Sequence, residues 1–155
     1  MTLAIRDDGA GAYWFEVEVD APGSDDSMWF IVRQVSGLGS SIEMTPVWVG
    51  GASPDSYLAL PGKTRLTNIV LQGAVVEKKL FFDWYDKVRL GDIKSVRADG
   101  SIFLKRGAEE TIARWNFVGA YPVRYTGPSL DLHSTTMAIE TIELTHKGVE
   151  RVATS

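Results

Sequence analysis

The sequence predicts a mainly β domain, a two-sheet β-barrel or sandwich with one flanking helix at about residues 77–90 and one extended β-hairpin. Three observations carry that expectation. Stretches of strict two-residue alternation recur along the chain, separated by clusters of Gly, Pro, Asp and Ser. A single stretch, by contrast, has its apolar residues at three- and four-residue spacing. Finally, 155 residues, 45% of them hydrophobic and 23% charged, are enough for one buried core, so a single domain over 1–155 is expected.

From the start, Met1 to Gly11 holds a short apolar patch and then Asp7-Asp8-Gly9-Ala10-Gly11, a turn or mobile arm. Tyr13 to Asp20 alternates cleanly, Tyr13, Phe15, Val17 and Val19 against Trp14, Glu16 and Glu18, which is a strand with one buried face. Ala21 to Ser27 is the loop that ends it, and Met28 to Val35 is the antiparallel partner. Ser36 to Ser41 reads as a turn. Ile42 to Val49 is a further strand whose two faces are both largely apolar: Ile42, Met44 and Trp48 on one, Val47 and Val49 among the other. Pro46 cannot donate to a ladder and so places this strand at an edge or in an extended ribbon, with Gly50 to Ser56 as the tip of a hairpin or a long loop.

Leu58 to Gly62 leads into Lys63 to Gln72, another strand, with Thr67, Ile69 and Leu71 on one face and Leu66, Asn68, Val70 and Gln72 on the other. Glu77 to Leu90 is the helix: Leu80, Phe81, Trp84, Tyr85 and Val88 share one face, Asp83 and Lys87 are spaced to pair outside, and Gly91 stands where a helix ends. Lys94 to Arg97, Asp99-Gly100 and Ile102 to Lys105 then read as strand, two-residue turn and strand. Ala113, Trp115 and Phe117 share one strand face. Gly119 and Pro122 interrupt that ladder, so Pro122 belongs at an edge, bulge or bend. Gly127 to Thr136 is irregular, and Met137 to His146 is the last strand, giving about nine in all.

Charge and composition remove several function classes. A net charge of −4 with pI near 5.2 does not favour general affinity for nucleic acid, although it leaves the sign of any one surface open. The chain has no cysteine, which excludes disulfides and thiolate metal sites. Met1 to Asp8 lacks the basic start and apolar run of a signal peptide, and no run approaches the ~20 apolar residues of a membrane span. Cytoplasmic synthesis without membrane insertion is therefore expected.

Chemistry-bearing patterns are sparse. Gly37-x-Gly39 is only the first half of a phosphate-cradling fingerprint and lacks the following helix. Gly62-Lys63-Thr64 ends like a P-loop, yet Tyr57 stands where the first glycine is required and a strand follows. Asp131, His133 and Ser134 adjoin in sequence, whereas a nucleophile, its base and its orienting carboxylate normally converge from separate elements. Glu140 and Glu143 point to opposite faces of a strand and do not converge with His146 on a metal, which makes them solvated strand charges in this reading. No catalytic, cofactor-binding or metal-binding residue is assigned, and the protein is expected not to be an enzyme.

Ordered blocks of sequence carry a family resemblance. Leu60-Pro61-Gly62-Lys63-Thr64, Phe82-Asp83-Trp84-Tyr85, Arg114-Trp115-Asn116-Phe117, Ala120 to Pro128 and Ala138 to Gly148 resemble, in that order, the tail tube proteins of contractile-tailed phages and related injection particles. The resemblance spans about Phe15 to Val152. It implies a structural subunit, with hexameric rings stacked into a tube inside a sheath, baseplate and tail-cap proteins as partners, and a lumen that conducts DNA or protein cargo. It also implies that a hairpin at this place in the chain reaches neighbouring subunits. Ile42, Met44, Val47, Trp48 and Val49 are accordingly the candidate subunit-interface residues, since a two-sided apolar ribbon needs a cover. The type VI secretion tube protein shares the implied architecture. Two alternatives stand beside this reading: a baseplate or tube-initiator paralogue of the same fold, and a monomeric carbohydrate-binding sandwich presenting exposed rings such as Trp14 and Trp29.

Overall fold

A computed structural model describes residues 13–20, 27–48, 50, 57–74, 79–107, 110–133, 135 and 137–154. Residues 1–11, expected to form an arm, and Val49 lie outside the described residues. The strands are β1 (Tyr13–Asp20), β2 (Met28–Val32), β3 (Gln34–Ser36), β4 (Ser40–Trp48), β5 (Tyr57–Leu66), β6 (Ile69–Ala74), β7 (Ala98–Arg106), β8 (Glu110–Thr126), β9 (Ile139–Thr145) and β10 (Gly148–Val152). Two helices, α1 (Leu80–Arg89) and α2 (Ile93–Val96), fall between β6 and β7.

Two sheets face each other like a sandwich. One runs β2-β1-β7-β8 with β10 beyond, the other β8-β9-β6-β3, all antiparallel. The long strand β8 belongs to both: its first half pairs with β7 and β10, its second half with β9. The change of sheet needs a bend. Gly119 supplies it with φ +60, and a bulge follows between Pro122 and Arg124. Pro122 thus sits at a bulge, as expected of a residue that cannot donate to the ladder. At the opposite side the chain passes from β2 to β3 through Arg33, whose N–H donates to the Gln72 carbonyl at 2.8 Å. The expected single strand Met28 to Val35 is therefore two, each completing a different sheet. The strand ladder does not close into a barrel, so the sandwich half of the expectation is the correct one.

The core lies between the sheets. Val17, Val19, Val32, Ile69, Leu71, Ile102, Phe117, Ile142 and Leu144 are all essentially inaccessible, and burial of each such side chain contributes about 1.5–3 kcal/mol. Helix α1 packs Phe81 and Trp84 onto this core. The Phe81 ring meets Phe30 at 4.9 Å, and the Trp84 indole N–H donates to the Val96 carbonyl at 2.9 Å. Gly91, at φ +95, ends the helical segment as the sequence predicts. On the outer surface the ion pair that forms is Asp86–Arg89 rather than Asp83–Lys87.

The expected strand Lys63 to Gln72 is likewise broken, at Thr67-Asn68, into the end of β5 and the start of β6, which pair with different strands. Three further elements also differ from expectation. Residues Ile93–Val96 form a helical turn, capped by Asp92, instead of a strand. Asp99-Gly100 lies inside β7 instead of forming a hairpin turn, because β1 pairs with both residues and β8 with Gly100, while Asp99 stands at an irregularity of the β7–β8 ladder and accepts the Gly119 N–H through its side chain. Beyond the last expected strand, the chain bends at His146-Lys147 and continues as β10, so that β9 and β10 together track β8 along its length.

Candidate functional site

The candidate site is the β4–β5 hairpin. Ser40 pairs with Leu66 and Trp48 with Tyr57, with one irregularity between Ile42 and Met44, and among the described residues neither strand pairs with any other. Every residue of β4 is exposed. Four of the five predicted interface residues are described, and all lie on this ribbon: Ile42 is 55% exposed, Met44 57%, Val47 41% and Trp48 68%. Sequence reasoning missed their partners on the return strand. Leu58, Leu60 and Leu66 are exposed there too, and their alternation with Ala59, Pro61 and Lys63 was the available signal. Burying side chains of this size removes far more apolar surface from water than isolated exposed residues would need explained.

Local chemistry makes the ribbon stiff in places and soluble at its margins. Pro46 stands opposite Ala59 and closes one position of the β4 edge to pairing. An Arg65–Glu43 ion pair crosses the two strands, and Gly62 admits the Glu43 carbonyl and the Thr45 hydroxyl close to its backbone. Gly62, Lys63 and Thr64, which end like a P-loop, are consecutive residues of the extended strand β5.

The remaining predicted clusters are dispersed. Asp131 accepts the backbone N–H of His133 at 2.9 Å in an exposed turn, while Ser134 lies outside the described residues. Glu140 is a correction: it is 8% exposed and accepts from the Tyr125 hydroxyl at 2.9 Å, so it is a buried paired group instead of a solvated strand charge. Burial, followed by the Glu140 hydrogen bond and charge, holds the Tyr125 hydroxyl above its ordinary pKa. Glu143 accepts from the Asn68 amide at 2.8 Å and lies 3.6 Å from Arg124. His146, also buried, binds the Thr67 carbonyl. Each of the three thus has its own partner. Of the two tryptophans considered for a stacking platform, Trp14 donates to Glu16 at 3.2 Å, and the exposed Trp29 stacks on Phe103 at 6.0 Å.

A small two-sheet sandwich that carries exposed large apolar side chains along both strands of a separate hairpin defines a class of structural domain whose surface, not a pocket, is the candidate site. The chain belongs to the family of T4-like virus tail tube protein gp19, whose model matches residues 11–150. It is similar to a chain of the sheath–tube complex of an extracellular contractile injection system, PVC, in the extended state, with 28% identity over 90% of this chain and 88% of that one and a TM-score of 0.74. A chain of the anti-feeding prophage baseplate shares the fold at a TM-score of 0.77 and 22% identity, over 89% and 91% of the two chains. Hcp1 from Flavobacterium johnsoniae shares it more distantly, with a TM-score of 0.52 and 19% identity over 87% and 93%. Among curated proteins none matches. No helix among the described residues is long and apolar enough to cross a membrane.

Proposed function

We propose that this protein is the inner-tube subunit of a contractile tail or injection particle, in which hexameric rings stack into a hollow tube whose lumen conducts DNA or protein cargo. The observation that carries this reading is the ribbon: an apolar β4–β5 hairpin, exposed on both faces, in a chain of the tail tube family. In a monomer such a ribbon is an aggregation liability, whereas in a ring it supplies the heterologous contact that closes the assembly. Main-chain pairing with a neighbour's sheet edge gives affinity, and alternate side chains give specificity. Ile42, Met44, Val47, Trp48 and Val49 are the contact residues of this proposal.

Relatives support the choice of partners. Matching chains come from a PVC sheath–tube complex, from a PVC sheath/tube terminator, and from a six-fold symmetrised baseplate and a tube-terminating cap of the anti-feeding prophage. Sheath, baseplate and cap proteins are the corresponding partners here. The role is structural and non-catalytic: the sheath contracts around a tube that must stay rigid.

Negative-stain electron microscopy with native mass measurement tests the reading. Six-fold rings or hollow tubes are expected from the purified protein. Trp48→Asp, or removal of residues 42–49, is expected to give a folded monomer, because β4 contributes nothing to the buried core. Rings formed by those variants would overturn the assignment of the ribbon. A folded protein that stays monomeric even with baseplate components present would overturn the tube reading itself.

A further inference from the structure

The ribbon is an extension of the second sheet through a weak point. Ser36 pairs with Val70 and Ser40 with Leu66, so β4–β5 continues the β3–β6 ladder in the same register. Between them the ladder lapses over Gly37, Leu38 and Gly39 on one segment and Thr67 and Asn68 on the other. One main-chain hydrogen bond crosses the gap, from Thr67 N–H to the Gly39 carbonyl at 3.2 Å. Gly37 has φ +79, and a Cβ there would lie 1.8 Å from the Asn68 carbonyl oxygen, so the two chains touch at a point only glycine allows. One ladder bond at its base does not by itself fix the direction of a two-stranded ribbon, since strand direction is set by consecutive pairing.

Two side chains of the neighbouring segment after β8 tie that base down. The His146 ring, 8% exposed, meets the Thr67 carbonyl through Nε2 at 2.8 Å. Three residues earlier, Glu143 accepts from the Asn68 side-chain amide at 2.8 Å. The two successive residues that carry the return strand into the sheet are therefore both gripped by β9 and the residue following it. The other ring nitrogen of His146, Nδ1, is buried and has no hydrogen-bond partner among the described residues. A buried unpaired nitrogen is costly, and an apolar side chain of equal size would avoid that cost. What an apolar side chain cannot do is donate to Thr67. The lost alternative identifies the Nε2 bond as what the histidine contributes at this place.

We infer that His146, with the Asn68–Glu143 pair beside it, is a root clamp that fixes the angle at which the β4–β5 ribbon leaves the body. The benefit is preorganisation: a ribbon that swings presents its apolar faces correctly only part of the time, and its apparent affinity for the next subunit falls by that fraction. This assembly consequence rests on the tube-subunit reading above; the clamp itself does not.

The absence of cysteine from the chain makes the angle directly measurable. Spin labels on Lys63→Cys in β5 and Lys94→Cys in α2, both exposed positions, report the ribbon-to-body distance in the monomeric Trp48→Asp background by pulsed electron resonance, spin-diluted so that only intramolecular distances count. A narrow distribution is expected with His146, a broad one with His146→Leu, and a narrow one again with His146→Gln, whose amide reaches the Thr67 carbonyl. In the otherwise wild-type chain, tube yield is expected to fall roughly tenfold with His146→Leu and to recover with His146→Gln. A narrow distribution in a folded His146→Leu protein, or a His146→Gln protein as broad as the leucine variant, overturns the clamp. If His146→Leu does not fold, Asn68→Ala decides in the same way, broadening supporting the clamp and its absence refuting it. If the wild-type protein forms no tubes, the functional reading fails while the distances still decide the clamp.

Discussion

At Gly100 the sandwich depends on a missing Cβ. The residue lies in β7 between Val19 of β1 and Phe117 of β8, and an added Cβ would stand 2.3 Å from the Glu18 carbonyl oxygen and 2.4 Å from the Phe117 ring. Neither atom is free to retreat, because one is main chain in a ladder and the other is a core ring 1% exposed. Gly100→Ala is therefore expected to destabilise by about 1–3 kcal/mol through overpacking, read as a lower urea midpoint at unchanged slope. Tyr125 makes a second single-residue argument. Its hydroxyl donates to the buried Glu140 carboxylate, and Tyr125→Phe leaves that carboxylate short of a donor at a cost of about 1–3 kcal/mol. The hydroxyl pKa is raised in the folded state, so its contribution is fully present below the ordinary tyrosine pKa of about 10. It is lost as pH rises through the higher folded value. The stability gap between wild type and Tyr125→Phe should thus persist through neutral pH and narrow in strong alkali.

At the scale of elements, what the sequence revealed was whatever depends on local period. The alternation of Tyr13 to Asp20, the one-sided stripe of α1 and the Pro-bearing ribbon with two apolar faces each state their burial in their own residues. The candidate site was legible for the same reason, since Ile42, Met44, Val47 and Trp48 advertise a surface that the domain's own core does not claim. Elements defined by distant partners were not legible. Asp99-Gly100 has the composition of a hairpin turn, yet β1 along both residues and β8 at Gly100 hold it extended, and tertiary pairing outweighs the turn preference. Gly119 reads only as an interruption of a ladder, and that it is the bend by which β8 passes from one sheet to the other depends on the partners β7, β9 and β10. β10 has only five residues and two half-buried valines, so its strand character comes from β8 beside it. Likewise Glu140 looks solvated in the sequence, because the Tyr125 hydroxyl that permits its burial comes from another strand.

Over the whole molecule, stability is divided between a core that each chain completes alone and a ribbon that it does not. The β7–β8 and β1–β7 ladders enclose inaccessible side chains, whereas the β4–β5 amides bond only across a two-stranded hairpin exposed along its length. An isolated two-stranded ribbon is at best marginally stable in water. In the monomeric Trp48→Asp variant, amides of β4 and β5 should therefore exchange with solvent orders of magnitude faster than those of β7 and β8, read by hydrogen exchange with mass spectrometry. In assembled wild-type tubes the same ribbon amides should slow towards the values of the core, because a neighbour's sheet edge and side chains then exclude water from them. The core amides should change little between the two states. Because the proposed contact is mainly apolar, raising salt from roughly 0.05 to 0.5 M should not restore fast exchange in the ribbon, whereas it would do so for an interface held by surface ion pairs. Ribbon amides that exchange equally fast in tubes and monomers would place the subunit contact elsewhere on the molecule, with the outer face of the first sheet around Trp29 and Ile31 the next surface to map.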